Sequence, residues 1–181
     1  MKKLSFFLII ILLLVSCNTV KRVGENEHLL TDVAVFVDSL KNKDENITRF
    51  VIQKPNTKTL GVVPFPLYFY NLGNKKYPKS PSQWGIEYPK TYNTVKSIFS
   101  EKQSISFAKT FIGFNNWFLN GGEAPVIINE KKTEKTVKNL RTYFTTIGYF
   151  KSKVTSKIEK NEDKKGTIAY YIEKGKPLFL D

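Results

Sequence analysis

Residues 133–173 read TEKTVKNLRTYFTTIGYFKSKVTSKIEKNEDKKGTIAYYIE, and two different periods run through them. Val137, Leu140, Phe144 and Ile147 recur at steps of three, four and three, which is one face of a helix, while Lys135, Lys138, Asn139 and Thr142 fall on the wet side. Thr133 stands where an N-cap is needed, Glu134 lies in the first turn, and Gly148 supplies a left-handed stop. Beyond it the period drops to two. Val154, Ser156 and Ile158 alternate with Lys153, Thr155, Lys157 and Glu159; Asn161 to Gly166 makes a charged loop; Thr167 to Glu173 returns with Ile168, Tyr170 and Ile172 on one face. The stretch predicts a helix, Tyr149-Phe150 folding back against it, and an antiparallel hairpin.

Upstream, Val33, Val35 and Val37 alternate with Asp32, Ala34, Phe36 and Asp38, a β-branched strand with one buried face. A short helix follows: Asp44, Glu45 and Asn46 offer a cap and negative charge, Ile47, Phe50 and Val51 keep helical spacing, and Pro55 ends it. From Gln53 to Pro89 the chain is dense in Pro, Gly, Asn and aromatics, which predicts no long regular element. Phe65, Tyr68, Phe69 and Tyr70 suit a helical turn opened by Pro66, with rings that either pack in a core or stack on sugars. Val95, Ile98, Phe99, Ile105, Ala108 and Ile112 predict an interrupted helix over 91–119, with Ser104, Ser106 and Gly113 as its weak points. Gly121 to Pro125 reads as a turn into the apolar Val126-Ile127-Ile128; without a following Gly-Lys-Ser/Thr its two glycines are not a phosphate loop.

The N-terminus is an address. Lys2 and Lys3 precede Leu4 to Val15, apolar except for Ser5, the length of a signal-peptide core and short for a bilayer span. It ends in Leu14-Val15-Ser16-Cys17, similar to the lipobox of bacterial lipoproteins, which implies cleavage before Cys17 and acylation of its thiol; the plain alternative is a buried structural cysteine in an uncleaved anchor helix. Cleavage removes 16 of 181 residues and two lysines, taking the net charge from +13 to +11. Two kinds of acyl linkage hold a protein on a leaflet lastingly, since each buried methylene contributes roughly 0.8 kcal/mol. Nothing after Cys17 reads as a retention or surface-export cue, so the expected location is the outer membrane, facing the periplasm. One cysteine and one histidine exclude a disulfide framework and Cys/His metal clusters, and 41% apolar residues exclude a disordered chain. No cofactor, no metal and no catalysis are expected; Glu123 and Glu130 are the nearest approach to paired carboxylates, and His28 stands alone.

The order helix, strand, hairpin, strand, with Leu140-x-x-Tyr143-Phe144-x-x-x-Gly148-Tyr149-Phe150, resembles the POTRA domain of the BamA/TamA superfamily of outer-membrane assembly factors. Adding the lipobox, Glu27-His28-Leu29-Leu30, Gln53-Lys54-Pro55-Asn56, Tyr70-Asn71-Leu72, Trp117 and Gly122-Glu123-Ala124-Pro125-Val126, the chain is similar to the N-terminal region of TamL-like translocation and assembly lipoproteins of Bacteroidota. The resemblance implies an α+β fold in which two helices cover a small three-stranded mixed sheet. The strand at 33–38, a helix near 47–52, the helix at 133–147 and the terminal hairpin are its parts. The expected organisation is a leader (1–16), a lipidated tether (17–27), an elaborated domain (28–174) with a partly helical insertion over about 56–130, and the opening of a further unit (175–181). Transmembrane barrels need at least eight strands, and none is legible here, so the reading expects a fragment, a split copy or a stand-alone module.

An open sheet edge offers unpaired backbone groups to an extended client. Val33, Val35 and Val37 on the first strand are the candidate docking edge, or else whichever hairpin strand lies outermost; the bland alternative is an edge already covered. Expected partners are the membrane, through the lipid, and assembly subunits or unfolded client proteins. Nucleic acid is not expected. Lysines crowd the last third, from Lys131 and Lys132 to Lys174 and Lys176, a surface that suits anionic headgroups or acidic clients or is merely solvated. A second class of function is a glycan- or peptide-binding lipoprotein with Phe65, Tyr68, Tyr70, Trp84 and Trp117 lining a groove. Asp38-Ser39-Leu40 resembles a short O-glycosylation motif of Bacteroidota envelope proteins.

Overall fold

The computed structural model describes residues 18–177; residues 1–17, on which the leader and lipidation readings fall, and residues 178–181 lie outside the described residues. Six helices and one four-stranded mixed sheet make an α+β architecture that divides into two compact units. One unit is Val20–Asn56 with Pro125 onward; the other is Thr57–Ala124 with Asn18 and Thr19.

The sheet unit begins with β1 (Leu29–Val37) and β2 (Leu40–Asn42), then a single helical turn, α1 (Glu45–Thr48). After the other unit come α6 (Glu130–Thr146), β3 (Lys153–Lys160) and β4 (Lys165–Glu173). The strand order is β2-β1-β4-β3, with β1 parallel to β4 and the other pairs antiparallel. Val33, Val35 and Val37 stand opposite Ile168, Tyr170 and Ile172, so period two on both strands sends their branched and aromatic side chains to one face. There they meet Leu140 and Phe144 of α6 and Ile47 and Val51, forming the core. The opposite face carries Phe36 stacked on Tyr171 at 5.2 Å, with Thr155, Lys157 and Glu159 exposed beside them.

Helix, left-handed stop and hairpin stand over 133–173 as the two periods require: Gly148 has φ +93°, and Tyr149 N–H closes onto Phe144 C=O at 2.9 Å. The cap differs. Asn129, not Thr133, accepts from Lys132 N–H at 3.0 Å, and Thr133 lies buried inside the helix with its hydroxyl donating to Asn129 C=O.

Two further expectations are corrected. The sheet has four strands, because Asp38 and Ser39, with φ +48° and +70°, turn β1 straight back into β2. The first helix is one turn long, capped by Asp44 as expected. Its continuation is stopped when Ile52 N–H goes to Thr136 Oγ1 at 3.1 Å and the Gln53 amide bridges Ile127 C=O and Asn129 N–H. Within the stretch read as a tether, Val23 is buried, its N–H on Val20 C=O, and Gly24 N–H donates to the Glu27 carboxylate at 2.9 Å. Of the stretch read as the opening of a further unit, 175–181, residues 175–177 carry no strand and 178–181 lie outside the described residues.

The second unit is helical: α2 (Phe65–Leu72), α3 (Pro81–Glu87), α4 (Pro89–Ile98) and α5 (Glu101–Gly121). The interruption falls at Phe99-Ser100 rather than at Gly113, because Ser100 caps a new helix by accepting from Gln103 N–H. Trp84, Ala108 and Ile112 form its core, and Ser104 is buried beside them with its hydroxyl on Ser100 C=O.

Candidate functional site

The first-strand edge does not survive the topology. β1 is an interior strand: Val35 and Val37 face Asn42 and Leu40 of β2 on one side and Tyr170 and Ile172 of β4 on the other. Their side chains are buried in the core. A three-residue strand that the chain reaches by an immediate turn has occupied the edge that sequence periodicity left open. Toward the start of β1 the same side is closed again, by Leu30 N–H to Val126 C=O and Ile128 N–H to His28 C=O. Between these seals Val33 opens onto a cleft of about 370 Å³ walled by Lys41, Lys43, Lys54 and Asp32.

The outermost strands are β2 and β3, and β3 is the longer, eight residues paired only to β4 among the described residues. Asn161 N–H bonds Lys165 C=O at 2.9 Å, and bonded pairs alternate along an antiparallel ladder, so Lys153, Thr155, Lys157 and Glu159 turn their backbone groups toward β4. Val154, Ser156, Ile158 and Lys160 therefore present N–H and C=O outward. Val154 and Ile158 are anchored by their half-buried side chains on the core, which holds the edge straight. Lys157 pairs with Glu159 at 2.8 Å on the open face; the hydrogen bond from Lys157 holds the Glu159 carboxyl below its ordinary value and lifts the ammonium above its own. Lys160 reaches Glu130 at 3.0 Å. A lysine-bearing edge resists pairing with its own kind and admits strands of opposite charge.

The remaining sequence candidates disperse. Glu123 accepts from Thr57 N–H at 2.8 Å while Glu130 serves Lys160, each occupied in its own unit. His28 lines an open cavity of about 280 Å³ with Glu27, Asn129 and Lys160. Among the described residues no three His, Cys, Asp or Glu side chains gather as a metal site, and no helix is long and apolar enough to cross a membrane. Of the five aromatics set down for a groove, Tyr70 and Trp84 are buried, the latter 4% exposed with its indole N–H on Tyr77 Oη at 2.8 Å. Phe65 and Trp117 are more than half exposed instead, so the five line no common groove. Ser39 is exposed at the tip of the β1–β2 turn. Cys17 lies outside the described residues.

No family model matches the chain, and searches of the curated proteins and of the solved structures find no match either. The fold is α+β, and among the described residues β3 is the longer of the two outermost strands of its mixed sheet.

Proposed function

We propose that the chain is an envelope lipoprotein, acylated at Cys17 and facing the periplasm from the outer membrane. In this reading it is a POTRA-type scaffold of an outer-membrane protein translocation and assembly factor. Extended clients or partner subunits add themselves as a strand along β3, and no side chain performs catalysis. The observation that carries the reading is the outward backbone row of Val154, Ser156, Ile158 and Lys160 on a strand with no outer neighbour among the described residues. Backbone pairing supplies affinity with little regard to sequence, and the lysines of the edge favour acidic strands. A helix laid over a hairpin with a parallel first strand agrees with the POTRA arrangement; β2 and the one-turn first helix are departures from it.

Two prolines test it. Ser156→Pro removes an outward donor and no ladder bond, a position where edge strands tolerate proline. It is expected to leave the denaturation midpoint nearly unchanged and to abolish capture of an acidic, extended barrel-strand peptide. Lys157→Pro removes an inward donor and is expected to lower stability by about 2 kcal/mol. Undiminished capture by a folded Ser156→Pro variant refutes the docking edge, and an intact mass without acyl chains on the native protein refutes the anchor.

A further inference from the structure

The helical unit carries a surface that strand pairing at β3 does not use. Along α5 the buried stripe is Ser104, Ala108 and Ile112; on the neighbouring flank Phe107, Phe111, Phe114 and Phe118 follow at steps of four, three and four. Phe114 is 54% exposed and Trp117, beside it, 58%. The rings are held in place: Phe69 meets Trp117 edge-on at 4.7 Å and Phe118 at 5.1 Å, and Phe107 lies 4.8 Å from Phe111. Around Gly113, where an added Cβ would touch nothing, Thr110, Phe114 and Trp117 frame an apolar notch of about 360 Å³. A contiguous aromatic ridge of this kind marks an interaction surface.

Its charge selects the occupant. After Glu101, α5 carries Lys102 and Lys109 and no carboxylate, and residues 57–124 hold eight lysines against three glutamates, a net of +5. Phenylalanine and tryptophan rings rimmed by lysine suit the boundary between headgroups and acyl chains. The chain itself brings lipid to this unit. Asn18 C=O accepts from Asn71 Nδ2 at 3.2 Å on α2, the helix that also carries Phe69, whose ring touches Trp117. An acyl group on Cys17 starts one residue from that contact.

We infer that the α5 ridge centred on Phe114 and Trp117 seats the helical unit on an anionic bilayer surface, so that the lipid holds the protein while the ridge orients it. The argument for proximity rests on the acylation proposed above; the test does not. The chain from residue 17 onward, made without its leader and with Cys17→Ser, is mixed with phosphatidylglycerol-containing and with pure phosphatidylcholine vesicles. Trp84 is buried but packs on Phe107 and Phe111, so emission is read in a Trp84→Phe background, where it reports Trp117. Expected are a blue shift and co-sedimentation with the anionic vesicles, quenching by lipids brominated along the acyl chain, and at least tenfold weaker partitioning for Phe114→Ser/Trp117→Ser. The inference is overturned by an unshifted, unquenched wild-type chain, or by a folded double variant that partitions like wild type. It is equally overturned by self-association that the double variant abolishes in a chain that ignores vesicles, which makes the ridge an interface between copies. An intact mass lacking acyl chains, with vesicle binding retained, removes the anchor and leaves the ridge.

Discussion

Asp38 occupies the left-handed region with φ +48°, where aspartate and asparagine are the side chains best suited to the strain. It also closes the sheet at its far end: its carboxylate accepts from Lys174 N–H at 3.0 Å and pairs with Lys174 Nζ at 3.1 Å. The backbone bond from Lys174, then the side-chain one, hold its carboxyl below the ordinary value of 3.8 against a small opposing effect of burial. A depressed folded value means stability that is complete above the unfolded pKa and lost as pH falls through the folded one. Asp38→Asn keeps the turn and removes the charge. The gap between wild type and variant in urea unfolding is expected to be steady from about pH 7 to pH 5 and to close below about pH 4. It stays under about 1 kcal/mol, because the two side chains are 34% and 48% exposed and solvent screens them. Gly122 is demanding for another reason: a Cβ there would stand 2.6 Å from Tyr70 Cα and 2.7 Å from Pro66 O, both backbone atoms that cannot swing aside. Gly122→Ala is expected to cost about 1–3 kcal/mol, read from a denaturant midpoint.

Among the elements, α6 and the β3–β4 hairpin were legible because one face of each is buried and the other solvated, so burial wrote its period into the sequence. The first helix was legible only to its cap. What ends it is made elsewhere: Thr136 Oγ1, buried in α6, accepts from Ile52 N–H while donating to Lys132 C=O. Thr136→Val keeps the shape and strands that amide. It is expected to lower stability by about 1–3 kcal/mol and to quicken hydrogen exchange at Ile52 specifically. β2 escaped notice because its turn is Asp-Ser rather than the Asn-Gly or Asp-Gly that announces two positive φ values. Pro81 and Pro89, in and at the end of the Pro- and Gly-dense stretch, each open a helix from its first position, where no N–H is needed. The aromatic flank of α5, Phe107, Phe111, Phe114 and Phe118, has a helical spacing of its own, overlaid on that of Ile105, Ala108 and Ile112 in the same segment.

At the scale of the whole molecule β3 was legible as a strand and not as an edge. Which strand lies outermost depends on pairings between residues far apart in sequence, and composition holds no trace of them. The same separation makes the helical unit removable. Asn56 Oδ1 accepts from Val126 N–H at 3.1 Å, so the ends left by excising residues 57–124 already meet. Replacing that stretch by a short Gly-Ser linker is expected to leave a cooperatively unfolding sheet unit with dispersed amide resonances. That unit keeps capture at β3 and loses the vesicle partitioning of the ridge. A collapsed, non-cooperative product would show that the sheet unit needs the helices to fold.

The parallel pairing of β1 with β4 joins Val33 to Ile168, 135 positions later. A loop that long closes slowly, and its entropy must be spent before any of the core contacts it brings can form. Until the β3–β4 hairpin has been made, β1 has only the three-residue β2 beside it. The hairpin and α6, being local, condense first and offer β4 as a template, and β1 is threaded in at the end. During that interval the β4-facing edge of a valine-rich strand is open, which is the state of the extended clients the protein is proposed to receive.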